Sequence, residues 1–205
     1  MKTSDYVGCK SFPCTDVIQS NYIIPGVEVE VNTISIILIS ESAPEKLADY
    51  YYATGAAVGT PLFAETTLLA FNDAGVKVNS IQELIQRGVY LTNAVKCGKK
   101  TYSIQTGTIT ECSRLLEREL SLFPNVEAYL LMGDVAIKAI NSIAKRNGEP
   151  RPIPAGSTYK IRGNEFFFRG KRVFPSYLQA GPSFFIEKSK RRMITEDISA
   201  AMELV

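Results

Sequence analysis

The residues with the most evident chemical capacity are four cysteines, Cys9, Cys14, Cys97 and Cys112. They form a close pair, C-x₄-C, and a wider pair with 14 residues between its members. The chain contains no His. A Ser-His-Asp triad, a Cys-His dyad, a Cys₂His₂ zinc site and imidazole acid–base chemistry are therefore excluded. The opening residues, MKTSDYVGCK, carry no apolar stretch of the signal-peptide kind, so the expectation is a cytoplasmic protein. There an even set of cysteines points to metal binding or buried thiols rather than disulfides. Structural zinc usually shows tighter spacing, often C-x₂-C. An iron–sulfur cluster tolerates wide pairs because soft thiolates reach it from separate loops. Four unrelated core thiols are equally compatible with the spacing.

The elements that must position these residues belong to an ordinary globular chain. Of 205 residues, 45% are apolar, 21% charged and 10% aromatic, which suits one domain spanning 1–205 with its own core. No apolar run approaches the roughly 20 residues that a membrane span needs. The net charge of +2 hides a division. From Lys138 to Arg192 there are 13 Lys/Arg against 3 Asp/Glu, and the remainder holds 10 against 18. Such a basic third suits a polyanion docked on one face, or a plainly solvated surface. Its densest run, Lys188-Ser-Lys-Arg-Arg192, lies where a final helix begins.

Four short β-branched or apolar runs read as strands: Ile34–Ile39, Val89–Asn93, Ala128–Met132 and Arg172–Phe174. Helical patterns at Glu65–Ala74, Ser80–Gln86, Thr108–Ser121 and Asp134–Lys145 separate or follow them. Near-continuous apolar strands alternating with helices predict a three-layer α/β/α sandwich around a mostly parallel, four-stranded sheet. Asn147–Pro154 reads as a stiff loop, and Gly163–Gly170 as a hairpin or edge strand. Ligands of such folds collect outside the carboxyl ends of the strands. The segments expected on that rim are Ser40–Pro44, Asn93–Cys97, Gly133-Asp134 and Pro175–Leu178.

Taken in order, these segments resemble the uracil-DNA glycosylase superfamily, and especially its iron–sulfur branch, the family 4 enzymes. Where that branch has Gly-Glu-Ala-Pro-Gly after its first strand, this chain has Ser40-Glu-Ser-Ala-Pro44. A later strand, close to Tyr-Ile-Thr-Asn-Val-Val-Lys-Cys there, is Tyr90-Leu-Thr-Asn-Ala-Val-Lys-Cys97 here. Thr110-Glu-Cys112 matches the helix carrying a cluster cysteine, and Leu131–Ala139 is similar to the Leu-Gly-Ala-Thr-Ala segment. The family's His-Pro-Ser-Tyr-Leu corresponds to Phe174-Pro-Ser-Tyr-Leu178.

The resemblance implies a [4Fe–4S] cluster on Cys9, Cys14, Cys97 and Cys112, structural in role. It implies excision of uracil or another deaminated base from DNA, single-stranded or damaged duplex, by a monomer. Asn93 would pair with the base edge, since an amide both donates and accepts. Glu41 would act near the attacking water or the sugar, with Asp49 as a second carboxylate. Ser42, Phe63, Tyr52 and Phe174 would form the base pocket. Tyr177 and Leu178 would wedge into the duplex, and Lys188 and Arg191 would hold phosphates. Phe174 departs from the family's histidine and cannot donate to the departing base. Ser176, Tyr177 or a backbone N–H would then be the donor, or the protein would be an iron–sulfur DNA-binding protein without catalysis.

Overall fold

The computed structural model describes residues 1–53 and 59–205. Its six-stranded sheet has the order β1-β3-β2-β4-β6-β5. The strands are β1 (Val17–Ile18), β2 (Ile36–Ala43), β3 (Val89–Lys99), β4 (Ala128–Met132), β5 (Phe166–Phe168) and β6 (Lys171–Ser176). The four central strands are mutually parallel, with Ile36 opposite both Val89 and Ala128, and Ala128 opposite Arg172. The short edge strands β1 and β5 run antiparallel. The expected three-layer α/β/α architecture is present, with two edge strands added to the four that apolar runs mark.

The central strands are apolar on both faces because helices cover both. The helices are α1 (Leu62–Asp73), α2 (Ile81–Gln86), α3 (Thr106–Leu120), α4 (Asp134–Arg146), α5 (Thr158–Ile161), α6 (Ser183–Ile186) and α7 (Lys188–Met202). α3 and α4 pack together, as do α1 and α7. Ile36, Ile37, Leu38 and Ile39 are fully buried, as a strand between two helical layers requires.

Three strands outrun their apolar cores. β2 and β3 continue past Ile39 and Asn93, still paired through Ser40–Asn93 and Ser42–Val95, before a register shift at Ala43. β6 continues through Pro175 to Ser176. Proline fits there because β5 last pairs at Val173, so no strand on that side needs the missing N–H.

The N-terminal segment is laid against the β3 edge by local bonds. Val17 pairs with Lys99, and the Met1 ammonium donates to the Val29 carbonyl. The Gln19 amide donates to the carbonyls of Phe12 and Cys14, and the Cys9 N–H donates to the Tyr22 hydroxyl. These contacts bring Cys9 and Cys14 to the β3–α3 side of the sheet.

Candidate active site

Two cavities take up the chemistry-bearing residues. The first, about 220 Å³, is lined by all four cysteines together with Phe12, Tyr22 and Arg114. Cys97 comes from β3 and Cys112 from α3, while Cys9 and Cys14 come from the N-terminal segment. The Lys96 N–H donates to Cys112 Sγ at 3.2 Å. Burial, then repulsion from the other sulfurs, pushes the Cys97 thiol up to about 12. Burial likewise raises Cys112 to about 11, against the opposing effect of the Lys96 N–H and ammonium. Unaided, these sulfurs stay protonated; a bound cation centre is what would ionise them together.

Among the described residues no three His, Cys, Asp or Glu groups converge as a single metal ion needs. A single ion requires its sulfurs about 2.3 Å from one point. A polynuclear cluster gives each thiolate its own iron, so its ligands surround a volume instead. Four thiols placed around one cavity, with Glu111 also in its lining, suit the second arrangement better than the first.

The second cavity, about 770 Å³, lies at the carboxyl ends of β2 and β3. Glu41, Ser42 and Asp49 line it, with Phe63, Lys99 and Leu178. Glu41 sits beside the first turn of α4, where the backbone N–H groups of Asp134 and Val135 face its carboxylate. Burial raises its pKa from the ordinary 4.5, and Lys99 and those N–H groups pull it back. Lys99 Nζ is 3.9 Å from Glu41 Oε2. Gly133 makes this approach possible: it has φ +102°, and a Cβ there would stand 2.6 Å from Glu41 Oε1.

Asn93 is buried immediately behind Ser42. Its Nδ2 donates to the Ser42 carbonyl at 2.8 Å, which fixes which way the amide points. Its Oδ1 is buried with no hydrogen-bond partner. An acceptor left so costs on the order of 1–3 kcal/mol, so its orientation calls for an explanation. Beneath it lies a fully paired network. The Lys96 ammonium donates to Glu119, to Thr92 Oγ1 at 2.8 Å and to the Asn93 carbonyl at 2.6 Å. Tyr90 and Thr92 complete the shell by donating to Glu119 Oε1.

The remaining expected site residues divide. Phe63 lines the second cavity with its ring 5.4 Å from that of Tyr51, and Leu178 reaches it from the loop after β6. Tyr52 lies elsewhere: its hydroxyl bridges the N–H and carbonyl of Leu91, both at 3.0 Å. It caps a stretch of β3 edge that the two-residue β1 leaves uncovered. Phe174 also lies outside the cavity, nearly buried with the Arg172 guanidinium 4.7 Å from its ring centre. Ser176 is fully buried and donates to Asp197 Oδ2 at 2.5 Å, so its proton is engaged inside the α7 contact.

Of the expected phosphate contacts, Lys188 is exposed but Arg191 is clamped on Asp73 through two bonds of 2.5 and 3.0 Å. Lys190 and Arg192 pair with Glu187 and Glu196. The basic run is largely neutralised within the fold. Tyr177 is half-buried, with Lys190 Nζ 5.4 Å from its ring centre. Sequence reasoning placed Gly133 on the rim without its close approach to Glu41, and it missed Lys99 and Gln179. Lys99 carried a signal, since it lies two residues beyond the Asn93–Cys97 rim segment.

A three-layer α/β fold with a polar cavity at its strand ends thus defines the class. The family model described as the uracil DNA glycosylase superfamily matches residues 44–196, and the chain belongs to that superfamily. It is also similar to the type-5 uracil-DNA glycosylase of Thermus thermophilus, with 27% identity over 117 residues. That match covers 57% of this chain and 51% of the relative, so the chain spans about half the relative's length. The matched family region contains Asn93, Cys97, Cys112 and Leu178 and begins after Glu41. No helix among the described residues is long and apolar enough to cross a membrane.

Proposed function

We propose that this chain is a monofunctional DNA glycosylase, one domain over 1–205, that hydrolyses the N-glycosidic bond of uracil or another deaminated base. The observation carrying this reading is Asn93. Its Nδ2 is tied to Ser42, which lines the cavity holding Glu41, while Asn93 itself lies one layer behind that lining with its buried Oδ1 lacking a donor. An imino N–H on a flipped base edge is the kind of group that satisfies such an acceptor. Membership of the superfamily supports the same chemistry.

Bond cleavage places negative charge on the departing base and positive charge on the sugar. Glu41, as a carboxylate, stabilises the sugar cation or takes a proton from water. Neither Phe174 nor Ser176 reaches the cavity, and Lys99, 3.9 Å from Glu41 Oε2, is a cation there that would offset developing negative charge. Phe63 offers a face for the base, and Leu178 fills space at the rim.

Cys9, Cys14, Cys97 and Cys112 would hold a [4Fe–4S] cluster whose contribution is structural, tying the N-terminal segment to β3 and α3. The motif order favours the iron–sulfur branch, and the similar curated protein bears the type-5 name. The test is release of labelled base from oligonucleotides containing uracil, hypoxanthine or xanthine. Release that Asn93→Ala abolishes supports the enzyme. Silence on all substrates with DNA still bound would support a non-catalytic DNA-binding protein.

A further inference from the structure

β3 carries two residues for which β2 has no counterpart. Ser42 stands opposite Val95 and the next β2 residue, Ala43, opposite Gly98, so Lys96 and Cys97 form a bulge between the two pairs. A bulge turns side chains out of the strand's alternation. Cys97 lines the cysteine cavity, while the Lys96 side chain enters the core, where it and Glu119 are 1% and 0% exposed. The Lys96 backbone is engaged as well. Its N–H donates to Cys112 Sγ at 3.2 Å, and its carbonyl accepts from the Ile23 N–H at 2.8 Å.

A buried ion pair is a poor way to stabilise a fold, because apolar residues of similar volume often serve as well or better. What this pair supplies is placement. An ammonium has three protons to donate. Lys96 gives one to Glu119, one to Thr92 Oγ1 and the third to the Asn93 carbonyl. That last bond folds the side chain back three residues along its own strand. Asn93 is thereby held at two points, its peptide carbonyl by Lys96 and its carboxamide Nδ2 by the Ser42 carbonyl. Oδ1 is the carboxamide atom left without a partner.

We infer that Lys96 is a positioning residue for the proposed reaction. Its ammonium, balanced by Glu119, holds the Asn93 peptide so that Oδ1 keeps the direction in which it meets a base edge. The inference rests on the proposed function in taking Asn93 as the residue that reads the base.

The test is the double variant Lys96→Met/Glu119→Gln. It leaves no unpaired charge, keeps the backbone N–H that reaches Cys112, and keeps a side-chain oxygen for Tyr90 and Thr92. It should melt close to the wild type and hold as much iron. Base release should nonetheless fall about 10- to 100-fold, the scale on which a small displacement of a reacting geometry acts. In protein with ¹⁵N-labelled asparagine, the Asn93 side-chain amide is identified by its absence in Asn93→Ala. It should give one sharp pair of signals in the wild type and broadened or doubled ones in the double variant. The amides of Asn72 and Asn141, bonded to backbone elsewhere, should not change, as they would if the whole fold loosened. Release at the wild-type rate overturns the inference, as do unchanged Asn93 signals. So does a double variant that melts far below the wild type with release following the folded fraction, which would make the pair an element of the fold alone. Release by the wild type reads the proposed function separately. A silent wild type whose Asn93 signals still depend on Lys96 sinks the enzyme and leaves the positioning; undiminished release by the double variant does the reverse.

Discussion

The cysteine cavity and the Glu41 cavity share β3, yet they are specified in different ways. The first is a matter of residue type. Four sulfurs and Tyr22 surround a small volume, with Lys10, Glu111, Arg114 and Arg118 also in its lining. The second is a matter of backbone course. Its residues are common ones, and its character comes from where β2, β3 and the loop after β6 end. On the proposed function the first cavity would tolerate no change of side chain at its cysteines, while the second would depend on backbone angles and close approaches.

The sharpest break between the two would come from the cysteines. Cys112→Ser is expected to abolish iron binding and release the N-terminal segment from β3. A structural metal centre in small metal-held units carries on the order of 10 kcal/mol of folding free energy. Hydrogen exchange should show residues 8–22 losing protection while β2 keeps it. Wild-type protein purified without air should be brown and hold about four irons per chain. Stoichiometric zinc without sulfide would remove the cluster from the proposal.

Asn93→Ala is the converse. It should cut base release by about 10²–10³-fold, the scale of losing one transition-state hydrogen-bonding group. Iron content should not change. If iron fell with activity, the two cavities would be one unit coupled through Lys96, which donates to both the Asn93 carbonyl and Cys112 Sγ.

Where an added imidazole belongs is a narrower test. The family histidine aligns by motif with Phe174, but Leu178 is the residue of this segment that reaches the Glu41 cavity. Leu178→His should raise base release, by up to about 10²-fold if the new donor meets the base oxygen. Phe174→His should not, because its ring lies under Arg172. The opposite result would show that the loop after β6 rearranges around DNA.

This pair also shows what the sequence could and could not reveal. Composition and apolar runs were enough for the parallel sheet and its helices, because burial on both faces leaves an unbroken apolar signature. That the four cysteines line one cavity followed from the motif order, because count and spacing fit four unrelated thiols equally well. The facing of Phe174 and Ser176 was not, because it depends on β6 running through Pro175, and that depends on β5 ending opposite Val173. Tyr52 was obscured similarly: its role follows from how little of β3 the two-residue β1 covers. Arg191 looked like a phosphate contact until α1 placed Asp73 against it.

The smallest expected effect separates the cavities by sign. Glu41 has its pKa raised above 4.5, chiefly by burial, so the folded state binds its proton more tightly than the unfolded chain does. The stabilising contribution of that proton is complete below the ordinary carboxylate value and is lost as pH rises through the raised one. At neutral pH the carboxylate is a net cost to folding, and Glu41→Gln removes the charge while keeping an oxygen toward α4. The variant should therefore melt slightly higher at pH 7, at about 2–4 °C per kcal/mol for a chain of this size. Its advantage should vanish toward pH 4, while base release falls at all pH values. In the wild type, base release should fall on the acid side with a midpoint above 4.5, as the carboxylate is lost. A lower melting temperature for Glu41→Gln at pH 7 would mean that Lys99 and the α4 N–H groups outweigh burial. Glu41 would then belong with the cysteines, as a residue kept for the fold.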